Sequence, residues 1–273
     1  MYRLTREIRF AIDLTCREGR PIEGRNGYAG KPPVTGLGQV YYALAVTVRG
    51  EPGEGDGYIV NIKDVDGVVR DKAVPLVKQA VRRVALESSP DGGGGIVREV
   101  YDALQGTLAP HVVDAVELKL SPLTRLAVQG TPPMTYLKHT FDFAASHRLN
   151  NPDRDEAENR RVFGKCNNVH GHGHNYQVEV SLAGTPDADG FLIDLYELER
   201  IVDEAVITPL DHKNLNVEVE EFMDAAPGRL NPSVEHIAKV VFDRLRPRLT
   251  FEHARLDAVT VWETPKTWCE YRA

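Results

Sequence analysis

The strongest constraint on this chain is that it repeats itself. Five short patterns from the first half return, in the same order, in the second. The alternation of Ile8, Phe10 and Ile12 returns as Phe141, Phe143 and Ala145. Gly36-Leu37-Gly38-Gln39-Val40-Tyr41 returns as Gly171-His172-Gly173-His174-Asn175-Tyr176, and Val60-Asn61-Ile62 as Ile193-Asp194-Leu195. Ile96, Tyr101, Asp102 and Leu104 stand at the spacing of Ile237, Phe242, Asp243 and Leu245, and Asp114-Ala115-Val116 matches Asp257-Ala258-Val259. Collinear echoes with little drift in offset point to two tandem units rather than one long fold.

Each unit reads strand, strand, helix, helix, strand. In the first, Val40, Tyr42, Leu44, Val46 and Val48 alternate as in a half-buried strand. In the second, Val178, Val180 and Leu182 do the same. Asp194 is placed to cap a helix, with Glu197 as its capping-box partner. Behind it Leu198, Ile201, Val202, Ala205 and Val206 form an apolar stripe. Ser233 is a second cap, ahead of Ile237, Val240, Val241 and Leu245, and 255–263 closes the unit as a strand. The proline- and glycine-bearing stretch 121–135 reads as the linker, and the PDGGGG tract (90–95) as a flexible loop.

Composition narrows the function. Hydrophobic residues make up 42%, enough for real cores, and the net charge of −7 argues against capture of nucleic acid or an anionic membrane. No apolar run reaches the length of a membrane span. The N-terminal MYRLTREIRF lacks the pattern of a signal peptide. Three cysteines, Cys16, Cys166 and Cys269, suggest no disulfide framework, so a reducing cytoplasm is the expected location.

The densest chemistry lies in Cys166-Asn167-Asn168-Val169-His170-Gly171-His172-Gly173-His174. On a strand, His172 and His174 share one face. A third metal ligand must come from elsewhere, and FDFAASH (141–147) is the best source, because it reads as a neighbouring strand ending in His147. Three histidines with a vacant fourth position describe a catalytic zinc site, although copper, iron and nickel also accept imidazole. Cys166 could be a fourth ligand, a buried apolar residue or a thiolate favoured by Lys165 and a nearby zinc. Cys16 and Cys269 read as incidental. The pair Asp211-His212 can be an acid–base couple or a surface pair. Glu263 can accept paired hydrogen bonds from a guanidine-like ring edge, or simply face water.

Together these pieces resemble the 6-pyruvoyl tetrahydropterin synthase family. The matching segments are FAASHRL (143–149), FGKCNN (163–168), HGHNY (172–176), FLIDLYEL (191–198), PLDHKNLN (209–216), PSVEHIA (232–238) and VWET (261–264). The resemblance implies an α+β tunnelling fold, each unit an antiparallel four-stranded sheet with two helices on one face, units joining into a barrel. It implies zinc on His147, His172 and His174, Cys166 as the proton-abstracting base, Asp211 and His212 as a relay, and Glu263 as pterin anchor, with Ser233 and Glu235 also at the substrate. The implied reaction converts 7,8-dihydroneopterin triphosphate to 6-pyruvoyl-tetrahydropterin with loss of triphosphate. Arg148, Lys165, Arg160 and Arg161 are candidates to meet the triphosphate.

In the related 6-carboxy-tetrahydropterin synthases the cysteine typically stands four positions before the first histidine of H-G-H. Here Cys166 precedes His172 by six, after the insertion 150–162, as in the pyruvoyl branch. That carboxy branch, and a non-catalytic pterin- or metal-binding scaffold, are the alternatives. Ser233-Val234-Glu235 departs from the two threonines that often precede the glutamate. The repeat places Leu14, Leu37 and Gln39 at the three histidine positions and Leu120 at Glu263. The expected organisation is thus a degenerate unit over 1–125 and a catalytic one over 133–273. The expected assembly is a homo-oligomer, a trimer of tandem chains or a multiple.

Overall fold

A computed structural model describes residues 1–14, 38–87, 90–224 and 228–273. Cys16, Gly36 and Leu37 lie outside the described residues. The chain divides into two compact units, Met1–Leu137 with Ala183–Leu192, and Lys138–Leu182 with Ile193–Ala273.

In the first unit β1 (Tyr2–Asp13), β2 (Gln39–Gly50), β3 (Val112–Lys119) and β4 (Thr124–Gln129) pair in that order, each antiparallel to the next. Alternation sets what is buried, because successive strand residues face opposite sides. Ile8, Phe10 and Ile12 are buried on β1, and Leu44, Val46 and Val48 on β2, with Ile8 opposite Leu44. The helical run Ile62–Val68, π-helical turn Val69–Ala73 and helix Val74–Glu87 buries Val65, Val69, Ala73 and Val77. The helix Gly94–Leu104 buries Val97, Val100 and Leu104.

Two sequence expectations change here. The stretch 121–135 is not all linker, since β4 lies inside it. Ser121 Oγ accepts from the Thr124 and Leu123 N–H groups, turning the chain so that Leu126, Ala127 and Val128 can be buried. Nor is the glycine tract a loose loop. Gly92 N–H donates to the Asp189 carbonyl (2.8 Å) and Gly94 N–H to the Gly190 carbonyl (2.9 Å), while Asp91 accepts from Gly93 N–H and from Arg83. A Cβ at Gly92 would stand 2.5 Å from the Phe191 ring and 2.6 Å from the Gly190 oxygen. Glycine is there for close backbone approach.

The second unit holds β5 (Met134–His147) from Lys138 onward, β6 (His172–Gly184), the short β7 (Lys213–Asn214), β8 (Ala254–Thr264) and β9 (Thr267–Tyr271). The order is β5-β6-β8-β9, with β7 parallel to β5 at Ala145 and Ser146. Asp194 caps the helix Leu195–Val202 by accepting from Tyr196 N–H, and the helix passes into a π-helical turn, Asp203–Ile207. The carboxylate of Glu197 is taken by Arg200 (2.7 and 2.9 Å), a stronger charged partner than the backbone N–H expected for it. Leu198, Ile201, Val202, Ala205 and Val206 are buried as the stripe requires, as are Ile237, Val240, Val241 and Leu245 on the helix Val234–Leu245.

The same local device occurs in both units: an Asx N-cap (Asn61, Asp194), a short helix, then a five-residue π-helical turn. Antiparallel sheet with packed helices makes the fold α+β. No helix among the described residues is long and apolar enough to cross a membrane.

Candidate active site

The site is built where β5 ends and β6 begins. His147 is the last residue of β5 and is fully buried; His172 and His174 open β6 on one face. Close approach of the two strands depends on Gly171, whose φ of +72° suits glycine and whose Cβ would meet the His147 carbonyl at 3.0 Å.

His147 Nδ1 donates to the Pro232 carbonyl at 2.6 Å, which fixes the tautomer and leaves Nε2 with its lone pair. That nitrogen lies 3.1 Å from His172 Nε2. Two ring nitrogens so close repel unless a proton or cation sits between them. Two ligands at ~2.05 Å in a tetrahedral zinc site stand about 3.3 Å apart, so the spacing suits one. The ligating atoms of all three histidines lie within 4.8 Å of one another. His174 Nε2 and His172 Nδ1 are buried without a hydrogen-bond partner. Burial pushes His147 down to about 4, against the raising effect of the Pro232 carbonyl, with His172 and His174 lowering it further. Burial, then His174, also lowers His172, opposed by Glu263. Neutral imidazole is the form that binds metal, so the donor set fits zinc.

Glu263, expected at a pterin edge, reaches into this cluster from β8. Its Oε1 is 3.4 Å from His147 Nε2 and 3.6 Å from His174 Nε2. Cys166 lies in the 3-10 turn Gly164–Asn167, half-buried, with its carbonyl accepting from Leu149 N–H at 2.9 Å. Burial pushes its thiol up, and the Glu263 carboxylate adds to the effect. The expected help from Lys165 does not offset them.

Asp211 and His212 sit on the same unit as the histidines, tied to β5 at Ala144. Asp211 Oδ2 takes His212 Nδ1–H at 2.7 Å, and Asp211 Oδ1 accepts Ala144 N–H at 2.8 Å. These bonds, the Ala144 one first, hold the Asp211 carboxyl below its usual range. His212 N–H returns to the Ala144 carbonyl. Its φ of +57° is rare for a side-chain-bearing residue, and its ring is 82% exposed. Ser233 is the N-cap residue of Val234–Leu245. Its hydroxyl, ahead of the Glu235 backbone N–H, lowers the exposed Glu235 carboxyl.

Sequence reasoning missed two features. The Pro232 carbonyl carries no residue-type signal. Tyr176, the next residue on the His172–His174 face, is fully buried and stacks on Phe143 at 4.9 Å, with its hydroxyl unpartnered. The i, i+2, i+4 spacing could have found it. Of the triphosphate candidates, Arg148 spends two guanidinium donors on Asn167, one on the carbonyl (3.1 Å) and one on the side chain (3.4 Å). Arg160 pairs with Glu156 on the helix Glu156–Phe163 formed by the insertion.

A family-wide sequence description, "6-pyruvoyl tetrahydropterin synthase", matches residues 136–273. The chain belongs to this family. The 6-pyruvoyl tetrahydrobiopterin synthase of Drosophila melanogaster is 38% identical over 146 residues, covering 51% of this chain and 80% of that protein. The Homo sapiens 6-pyruvoyl tetrahydrobiopterin synthase is 39% identical over 133 residues, covering 48% and 87%. Among solved structures, Caenorhabditis elegans 6-pyruvoyl tetrahydropterin synthase aligns at 34% identity with a TM-score of 0.47, over 52% of this chain and 96% of that one. The matched region carries every histidine, cysteine and carboxylate of the site, and residues 1–135 precede it.

Proposed function

We propose that the second unit is a zinc-dependent pterin synthase, a lyase that converts 7,8-dihydroneopterin triphosphate to 6-pyruvoyl-tetrahydropterin and releases triphosphate. One observation carries the reading: three converging imidazoles, one with its tautomer fixed by a carbonyl, beside a cysteine and a carboxylate. Bound zinc would act as a Lewis acid on the side-chain hydroxyls of the substrate. His147, His172 and His174 would hold it, and the Pro232 carbonyl keeps His147 in the ligating tautomer.

Cys166 is the proposed base that removes a carbon-bound proton. Burial, and after it the Glu263 carboxylate, push its thiol up; a cation held by the histidines would oppose both effects and favour the thiolate. Asp211 holds the Nδ1–H of His212 and leaves Nε2 to exchange a proton. Ser233, Glu235 and Glu263 are the proposed substrate contacts, with Glu263 nearest the histidines. Residues 1–125, which lie within the first unit, are proposed to be a degenerate copy. The shared cap and π-helical turn support this, as does the loss of donors at Leu14, Gln39 and Leu120.

The exposed His212 needs a further surface to act in an enclosed site. β1 and β9 each have a strand neighbour on one side only among the described residues, and unpaired edges need partners. Both features support a closed homo-oligomer, with three chains supplying six units. Light scattering giving a monomer would refute that assembly. For the reaction, zinc-loaded protein is incubated with 7,8-dihydroneopterin triphosphate and the products are identified by mass spectrometry. The 6-pyruvoyl product with free triphosphate is expected; a 6-carboxy product or unchanged substrate would refute the assignment.

A further inference from the structure

Residues 148–150 carry the chain away from His147, and all six of their backbone polar groups are bonded. Arg148 N–H donates to Asn216 Oδ1 (2.7 Å), and Asn216 Nδ2 returns to the Arg148 carbonyl (3.1 Å). Leu149 N–H donates to the Cys166 carbonyl (2.9 Å), and Asn167 Nδ2 donates to the Leu149 carbonyl (2.8 Å). Asn150 N–H donates to Asn231 Oδ1 (3.1 Å), and Arg229 Nη2 reaches the Asn150 carbonyl (2.7 Å).

An asparagine side chain offers one acceptor and donors, so it can pair with a peptide group as another backbone would. Asn167 and Asn216 are each only 5% exposed, which makes an unmade bond there costly. Five of the six bonds are made by side chains rather than by a neighbouring strand, so the path of the segment depends on particular residues. The ties run to two places that matter: the cysteine turn and the loop whose Pro232 carbonyl orients His147. The guanidinium of Arg148 adds a further bond to the Asn167 carbonyl.

We propose that Asn216 and Asn167 are positioning residues that fix Cys166 relative to His147. Asn216 acts at one remove: it sets residue 148, which sets the 149–166 bond, which sets the cysteine turn. The inference rests on the reading of Cys166 as the base, and the test separates the two. Asn216→Asp keeps size and the acceptor for Arg148 N–H, but puts a carboxylate oxygen where a donor met the Arg148 carbonyl. Asn167→Asp likewise replaces the donor that met the Leu149 carbonyl, and keeps the oxygen that accepts from the Arg148 guanidinium.

In zinc-loaded full-length protein, either variant is expected to keep its zinc and hold KM within about twofold, while kcat falls ~10- to 100-fold, as for a reacting group misplaced by about 1 Å. The rate of Cys166 alkylation by iodoacetamide, followed on its own peptide by mass spectrometry, should change several-fold. A lower melting temperature with wild-type kcat and wild-type alkylation would overturn the proposal, as would loss of zinc from a folded variant. Failure of both variants to fold would also overturn it, by making the asparagines structural only. Cys166→Ala is run alongside: normal turnover would sink the base assignment, and the alkylation rates would still decide the clamp.

Discussion

Replacing Asp211 by Asn isolates one function of one carboxylate. Asp211 makes two bonds, from Ala144 N–H to Oδ1 at 2.8 Å and from His212 Nδ1–H to Oδ2 at 2.7 Å. The amide keeps one oxygen, and the backbone donor claims it because Ala144 cannot offer anything else. The amide NH2 then faces His212 Nδ1, which must become the unprotonated nitrogen. The imidazole proton moves to Nε2, so the nitrogen left to exchange a proton is in the wrong form. If His212 exchanges a proton through Nε2, kcat falls by roughly 10²- to 10⁴-fold, the contribution of a placed acid–base group. KM and zinc content should hardly move, since the histidine cluster is bonded independently. The melting temperature should also hold, because the Ala144 anchor survives; Asp211→Ala, which loses both bonds, should match the kinetic loss and melt earlier. Steady-state kinetics and thermal scans on the two variants check this. A kcat for Asp211→Asn within about threefold of wild type would refute the relay.

Three further outcomes follow from the geometry. His147 is held to about 4 when folded, against its ordinary 6.5, so below pH 6.5 the unfolded chain takes up a proton that the folded chain refuses. Metal-free protein should therefore lose about 3 kcal/mol of stability between pH 7 and 4 from this group, and His147→Asn should flatten that part of the denaturation profile. Tyr176→Phe removes a buried, unpartnered hydroxyl; urea denaturation should find the metal-free variant as stable as the parent or about 1 kcal/mol more so. Gly92→Ala drives a Cβ into Phe191 and the Gly190 carbonyl and should cost about 1–3 kcal/mol; an unchanged midpoint would mean the tract is free.

Much of the site was legible because strands have period two. His172 and His174 had to share a face, and the alternation ending at His147 identified the adjacent strand. Asp194 as a cap and the stripe from Leu198 to Val206 were equally plain. What stayed hidden was decided by backbone groups and by distant partners. The Pro232 carbonyl that orients His147 could be any residue's. PDGGGG has the composition of a flexible tract, and only the turn at 187–190 reveals that its glycines are docked. That Arg148 is held by Asn167 was equally invisible, because the two are 19 residues apart. Glu263 could not be told from an edge-strand charge facing water by its residue type alone; that it lies 3.4 Å from His147 and 3.6 Å from His174 depends on where β8 lies in the sheet.

A single three-histidine centre is proposed to perform the pterin chemistry of the whole chain. Titrating zinc into chelated protein while following conversion of 7,8-dihydroneopterin triphosphate tests it directly. Activity should rise linearly and level off at about one zinc per chain, with His172→Ala binding none and staying inactive. Saturation near two zinc ions per chain, or full turnover without any, would rule out a single centre.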